Sequence, residues 1–182
     1  EIVAAYAADT AGTVIIDGDA KLSVSDNITS TEANTLDAKT SGVITATIST
    51  TDITALDDLT GTGNAYTVTV GTSQVTAAAL KTVDAATTVN VTVTDVTQIT
   101  GSAADLADVY GGGFTGLGDE TIVLTDTTLA AATLTPTVNG YSTVAINANS
   151  VTTLTGTNAE IVAAYAADTA GTVIIDGDAK LS

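Results

Sequence analysis

The sequence predicts a repeat protein: a mainly β, parallel β-solenoid of about six coils per 159-residue unit, with short helices on the longer coils. Three observations predict this fold class. Residues 1–23 recur letter for letter at residues 160–182. Short segments of alternating apolar and polar residues recur at the spacing of solenoid coils. The apolar residues are almost all Val, Ile, Leu and Ala, with one Phe, five Tyr and no Trp, and such residues suit a narrow core.

The long repeat defines the organisation of the chain. Because divergence rarely leaves 23 positions unchanged, we interpret residues 1–182 as one continuous solenoid segment, an excerpt of a tandem array whose second copy starts at Glu160. An artificial fusion of a fragment to its own beginning is the alternative. Weaker similarity, as between VTDVTQITGSAADLADVY (93–110) and ANSVTTLTGTNAEIVAAY (148–165), predicts three sub-units of about 22–67, 68–121 and 122–180.

Six strands follow from the period-two alternation. Their inward pairs are Leu22/Val24, Ala46/Ile48, Val68/Val70, Val91/Val93, Ile122/Leu124 and Val144/Ile146. Successive pairs lie 22–31 residues apart, and a last interval of 37 residues reaches Leu181, the copy of Leu22. We expect each strand to pair in parallel with its counterparts in the neighbouring coils.

A small polar residue follows most of these strands by three positions. These residues are Asn27, Thr51, Ser73, Thr127 and Asn149. Stacked polar side chains at such turns satisfy backbone groups where the chain leaves a sheet. Leucine-rich repeats use the same device, so a leucine-rich-repeat-like α/β solenoid is the alternative fold.

The two longest intervals have room for helices. Residues 103–110 and 158–167 carry apolar residues at helical spacing, with Ser102 and Thr157 as N-caps and acidic residues three positions later. Residues 14–16 form a candidate further strand. Pro136, the only proline, is expected in a turn.

Composition excludes several classes of function. The chain has no cysteine and no histidine, which removes disulfides, Cys/His zinc sites and a histidine base. Four Lys and Arg against 21 Asp and Glu give a formal charge of −17, which argues against nucleic-acid partners. No apolar run has the length of a membrane span, so we expect no membrane insertion. No base lies beside a nucleophile, so we expect no enzymatic activity.

Two glycine-rich motifs are candidate binding sites. Gly111-x-Gly113-x-x-Gly116 matches a dinucleotide fingerprint in letters, but the expected order is helix before and strand after, the reverse of what the fingerprint needs. The Gly-Asp turns at residues 17–19 and 116–120 are similar to calcium loops but lack their nonapeptide spacing. Gly-Asp as a plain turn before a strand is the alternative. The candidate Ca²⁺ ligands are Asp17, Asp19, Asp119 and Glu120, and no other cofactor is expected.

Outward strand positions form two predicted columns rich in threonine. One contains Thr45, Thr67 and Thr121, and the other contains Thr47, Thr69 and Thr92. This arrangement resembles the flat face of ice-binding solenoids. Threonine as the ordinary outward residue of a strand is the alternative.

The segments GLGDETIVLTDTTLAA and VTTLTGTNAE resemble the Thr/Ala/Asp-rich tandem repeats of very large secreted or cell-surface bacterial proteins, marine cyanobacterial ones among them. The resemblance covers the whole chain in style. It implies an extracellular or cell-surface location and a structural role in filaments, fibres or surface layers. The partner would be the chain itself, as an end-to-end homopolymer or a longer tandem array. An adhesin stalk contacting Ca²⁺, sugar or ice is the alternative.

Overall fold

The chain is mixed α/β, with short strands between helices. The computed structural model describes residues 1–12, 15–177 and 179–181. The helices are α1 (Ile2–Thr10), α2 (Ser30–Asp37), α3 (Ile53–Leu56), α4 (Ala77–Ala86), α5 (Ala103–Gly111) and α6 (Asn158–Thr169), with irregular helical turns at Thr133–Thr137 and Val138–Gly140. The strands are β1 (Leu22–Ile28), β2 (Ile44–Ile48), β3 (Ala65–Thr67), β4 (Gln74–Thr76), β5 (Val91–Thr92), β6 (Gln98–Gly101), β7 (Phe114–Thr115), β8 (Thr121–Leu124), β9 (Thr128–Ala130), β10 (Ile146–Ala148), β11 (Thr153–Thr155), β12 (Val173–Ile175) and β13 (Lys180–Leu181).

The strands form several parallel sheets. Their orders are β1-β2-β3, β4-β6-β8-β10-β12, β9-β11-β13 and β5-β7. In the described residues every strand pair is parallel, and paired residues lie from 20 positions apart (Thr45 with Ala65) to 27 positions apart (Thr153 with Lys180). Parallel pairing between successive segments, which the sequence predicts, is confirmed.

The core is a continuous cluster between the sheets and the helices, aliphatic except for the fully buried Tyr66. Strand alternation supplies one side of it, as in β2, where three apolar residues are buried and the two threonines between them are exposed. Helical spacing supplies the other side: Leu80 and Val83 of α4, and Leu106 and Val109 of α5, are each 0% exposed. Full burial of one such side chain contributes about 1.5–3 kcal/mol.

Most of the predicted inward residues are buried, and three are not. The buried ones are Ala46, Ile48, Val68, Val70, Val91, Val93, Ile122, Leu124 and Ile146. Leu22 and Val24 of β1 are only half-buried, since β1 is at the edge of its sheet. The prediction for Val144 is wrong: it is 38% exposed. Its backbone N–H donates to the Ser142 hydroxyl at 3.0 Å, which places Val144 in a turn before β10.

The predicted strand register is wrong over most of the chain, and in the second half the predicted partners also lie in different sheets. Val91 pairs with Phe114 and Ile99 pairs with Ile122, so Val91 and Ile122 belong to different sheets. The 31-residue interval therefore reflects a change of sheet and not a longer coil. The same holds for the 37-residue interval, since Leu181 pairs with Leu154 and not with Ile146.

The two predicted columns of outward threonines are not aligned as expected, because the strands pair in a different register. Thr47 pairs with Thr67, and Ser23 pairs with Thr45, each two residues from the predicted alignment. Thr92 pairs with Thr115 and not with β8. The predicted pairing of Thr69 with Thr92 is present as an isolated parallel bridge. The other threonines of the two predicted columns pair in a shifted register or in other sheets, so the columns are not continuous.

Helices are more widespread than the sequence predicted. α5 and α6 lie where they were expected. α2 and α4 also form, on intervals that were expected to contain only strand and turn. Each begins at a threonine, Thr29 or Thr76, whose hydroxyl accepts a backbone N–H of the first helical turn. The strand predicted at residues 14–16 falls partly outside the described residues, and the equivalent residues of the second copy form β12.

Candidate functional site: the Gly-Asp turns and the repeated segment

The first Gly-Asp turn lies on the surface. Asp17 and Asp19 are both exposed. The Asp19 N–H donates to the Asp17 carboxylate at 3.5 Å, and the Ala20 N–H donates to the Asp17 carbonyl at 3.0 Å. The Gly18 carbonyl accepts the Ser41 N–H at 2.8 Å. These contacts form a turn that is held against the following segment.

The second Gly-Asp turn contains a buried carboxylate. Glu120 is 1% exposed, and one of its oxygens accepts the N–H groups of Gly118 and Asp119 at 2.8 and 3.1 Å. The other oxygen, Oε1, is buried without a partner in the described residues. Asp119, in contrast, is exposed. The Glu120 side chain therefore closes its own turn, and the two neighbouring acidic side chains lie in different environments.

The four predicted calcium ligands lie in two separate turns. Within residues 1–12, 15–177 and 179–181, no group of three or more acidic side chains could hold a metal ion. Calcium binding at either turn stays a prediction. The glycine motif at residues 111–116 begins at the last residue of α5 and contains β7, so a helix comes first and a strand second, which is the expected order.

Hydroxyl pairs join successive segments at the turn before a strand. Thr40, Thr87 and Ser142 donate to the carbonyls of Ala20, Tyr66 and Glu120 at 2.6, 2.7 and 2.7 Å. Each of these hydroxyls also accepts the N–H two residues ahead, at 2.9–3.1 Å.

The residue that follows each of these three also donates to the preceding segment, to a carbonyl two positions earlier than the first one. These residues are Ser41, Thr88 and Thr143, and their N–H and hydroxyl groups both donate to the carbonyls of Gly18, Asn64 and Gly118. Polar turns are thereby satisfied by a neighbour 20–25 positions earlier in the chain. The dipeptides Thr-Ser, Thr-Thr and Ser-Thr at these positions are a sequence signal that the predictions missed.

Small polar residues three positions after the strands were predicted to bond to backbone groups. In the structure the residue just before three of them makes this contact. The side chains that accept from the preceding segment are Thr50, Thr72 and Asp126, whose partners are the N–H groups of Ser30, Ile53 and Ala103 at 3.0, 2.9 and 2.8 Å. These partners lie at the starts of α2, α3 and α5. The side chains therefore cap helices of the neighbouring segment.

The 23-residue sequence occurs in two different surroundings. At residues 160–182 it follows β10 and β11, and β12 and β13 pair with those strands. Ala164 is 0% exposed and Ile175 is 7% exposed there. At residues 1–23 the equivalent Ala5 is exposed and the equivalent Ile16 is only half-buried.

The aromatic residue of the segment shows the opposite pattern. Tyr6 is 5% exposed, whereas the equivalent Tyr165 is half-buried and donates its hydroxyl to the Ala179 carbonyl at 3.3 Å. Several local contacts are the same in both copies, and one of them links the helix to the segment after it: the side chains of Asp9 and Asp168 accept the N–H of Ile16 and Ile175 at 2.8 and 3.0 Å. The segment thus keeps this contact in both places, while different side chains of it are buried in each.

Comparison of the chain with protein-family models, with curated proteins and with solved structures finds no match. Among the described residues, no helix has the length and apolar character needed to cross a membrane.

Proposed function

We propose that this chain is a structural protein, a tandem-repeat segment of an extracellular filament, fibre or surface layer, which assembles by end-to-end stacking of solenoid coils. Two identical copies of one segment, with different side chains buried in each, are the observation that supports the proposal. A unit whose two ends are complementary continues without a natural stop, as open head-to-tail interfaces do.

In this proposal the chain winds as a solenoid of about six coils per 159-residue unit. Parallel sheets with paired residues 20–27 positions apart support it. With strands about 4.8 Å apart, six coils advance the axis by about 29 Å per unit. Helices along most of the chain fit the leucine-rich-repeat-like α/β variant of the solenoid better than the mainly β one. Stability then comes from contacts between neighbouring coils, which makes an unbroken array stiff.

The net negative charge of the chain makes assembly depend on ionic strength. The chain carries a formal charge of −17, so stacked units repel one another at low ionic strength. Salt screens this repulsion, since the Debye length falls to about 8 Å at 0.15 M. The same charge keeps laterally adjacent filaments apart.

Electron microscopy of the purified chain at high concentration and physiological salt tests the proposal. Fibres with an axial repeat near 29 Å, the advance expected for about six coils, are the expected result. Monodisperse monomers under the same conditions would contradict it.

The second candidate function is an adhesin stalk whose Gly-Asp turns bind Ca²⁺. The buried Glu120 oxygen, which has no partner in the described residues, favours it. Calorimetric titration with Ca²⁺ and thermal melting with and without the ion separate the two functions. A large Ca²⁺-dependent rise in melting temperature that Glu120→Gln removes would favour the stalk.

A further inference from the structure

We infer that the face formed by β10 and β11 is a docking site for residues 1–23 of a second copy of this chain. Residues 160–182 occupy this site within the molecule as an internal copy of that partner segment. The inference rests on the proposed function, because it names the surface through which successive units join and the segment that limits their joining.

The described contacts already show how the segment docks. β12 pairs with β10 through Ile146 with Val173, and β13 pairs with β11 through Thr153 with Lys180. α6 packs against the irregular helical turn Thr133–Thr137, and its Ala164 is completely buried. Residues 1–23 have the same sequence, so they have the same side chains available for every one of these contacts.

The first copy lacks this neighbour. Ala5 is exposed where Ala164 is buried, and Ile15 is 93% exposed where Ile174 is 46% exposed. In the described residues, β1 pairs only with β2, which leaves its other edge open. A cavity of about 820 Å³ lies between that strand, the start of α1 and α2, lined by residues 1–3 and 23–28 and by Glu32, Thr35 and Leu36. It provides room for a further strand beside β1.

Two identical segments therefore compete for one site. Docking of residues 1–23 from a second molecule must displace residues 160–182, and the incoming segment forms the same strand pairs and buries the same side chains as the segment it replaces. The equilibrium between internal and intermolecular docking is then set by the entropy lost on association and the mobility regained by the displaced segment. We expect the intact chain to be self-capped at low concentration and to join end to end only at high concentration.

Matched substitutions at equivalent positions test this inference on the full-length chain. Ala164→Asp places a charge in the buried contact of the internal copy, while Ala5 of an incoming molecule stays unchanged. We expect this variant to associate at a concentration at least about tenfold lower than the parent chain, a shift that corresponds to about 1.4 kcal/mol. Ala5→Asp, at an exposed position, should leave the melting temperature unchanged and abolish association. The double variant should stay monomeric.

Introduced cysteines locate the junction, because the chain has no cysteine of its own. Lys180 pairs with Thr153 in the described structure, at the separation expected of adjacent strands and within disulfide reach. Under mild oxidation, Thr153→Cys with Lys180→Cys should form an intramolecular bond. Thr153→Cys with Lys21→Cys, the equivalent of Lys180, should instead link different molecules into a ladder of oligomers.

The outcomes separate this inference from the filament proposal. Two results together would overturn the inference but not the filament proposal. These are fibres that persist in Ala5→Asp and an absence of intermolecular cross-links in the chain that combines Thr153→Cys with Lys21→Cys. If neither the parent chain nor Ala164→Asp associates at any concentration, with circular dichroism showing the fold intact, both are overturned.

Discussion

At the scale of single residues, the hydroxyl of Thr87 bonds to three backbone groups. Thr87 is 9% exposed, donates to the Tyr66 carbonyl, and accepts the N–H groups of Tyr66 and Val89 at 3.0 and 3.1 Å. Its loss would leave buried polar groups without partners, and this costs more than the hydrogen bonds themselves contribute.

Thr87→Val is therefore expected to lower the free energy of unfolding by about 1–3 kcal/mol, measured by urea denaturation. Thr67→Val, the same change at an exposed position of β3, is the control and should stay within about 0.5 kcal/mol. Equal losses in free energy of unfolding for the two variants would contradict the prediction, because the buried hydrogen bonds of Thr87 would then add no stability.

A second residue-scale prediction concerns the core. Val93 is 0% exposed, so Val93→Asp places an unpaired charge in a narrow aliphatic core, a cost comparable to the whole stability of a domain. Loss of the cooperative transition in circular dichroism is expected. Val89→Asp is the control, since Val89 is 38% exposed and should keep its transition. A Val93→Asp variant with the parent melting temperature would place Val93 outside the core.

At the scale of elements, hydroxyl caps decide where helices begin. Thr157 and Glu160 form a capping box at the start of α6, in which the Thr157 N–H donates to the Glu160 carboxylate at 2.7 Å. This backbone hydrogen bond, followed by the one from the Thr157 side chain, lowers the pKa of Glu160 below its ordinary value. A carboxyl group with a lowered pKa stabilises the folded state above its ordinary pKa, and this contribution is lost as the pH falls through the folded value.

Thr157→Ala should raise the pKa of Glu160 part of the way back toward its ordinary value, because the hydroxyl is lost and the backbone donor remains. An NMR pH titration measures this. Thr29→Ala removes the same hydroxyl from the matching box at α2, where Glu32 also has a lowered pKa, and should leave the pKa of Glu160 unchanged. A Glu160 pKa that does not respond to Thr157→Ala would mean that the box does not persist in solution.

Some features of the helices and strands could be predicted from the sequence, and others could not. The alternation of Ala46 with Ile48 and the helical spacing of Leu106 with Val109 are local patterns, and they predicted burial correctly. The pairing of Val91 with Phe114 could not be predicted, because period-two alternation does not state which sheet a strand joins. α2 was missed because tertiary packing overrides the low helix propensity of its two threonines. α4 is rich in alanine, the strongest helix former, so its sequence did contain a helix signal that the strand-and-turn interpretation passed over. Of the candidate site, the Gly-Asp turns were located, and the burial of Glu120 depends on contacts that spacing does not contain.

At the scale of the whole molecule, stacking of successive segments holds the chain together. Each segment is satisfied by its neighbour, through parallel strands, paired hydroxyls and helix caps, and the repeated 23-residue sequence buries different side chains in its two positions. A chain that adds units should therefore lengthen without changing its cross-section.

Small-angle X-ray scattering of chains with one, two and three 159-residue units tests this most directly. If units stack end to end, we expect a constant cross-section and a maximum dimension that rises by about 29 Å with each unit, six coils at about 4.8 Å. A maximum dimension that grows in larger, irregular steps, with the profile of separate globules on flexible linkers, would contradict it.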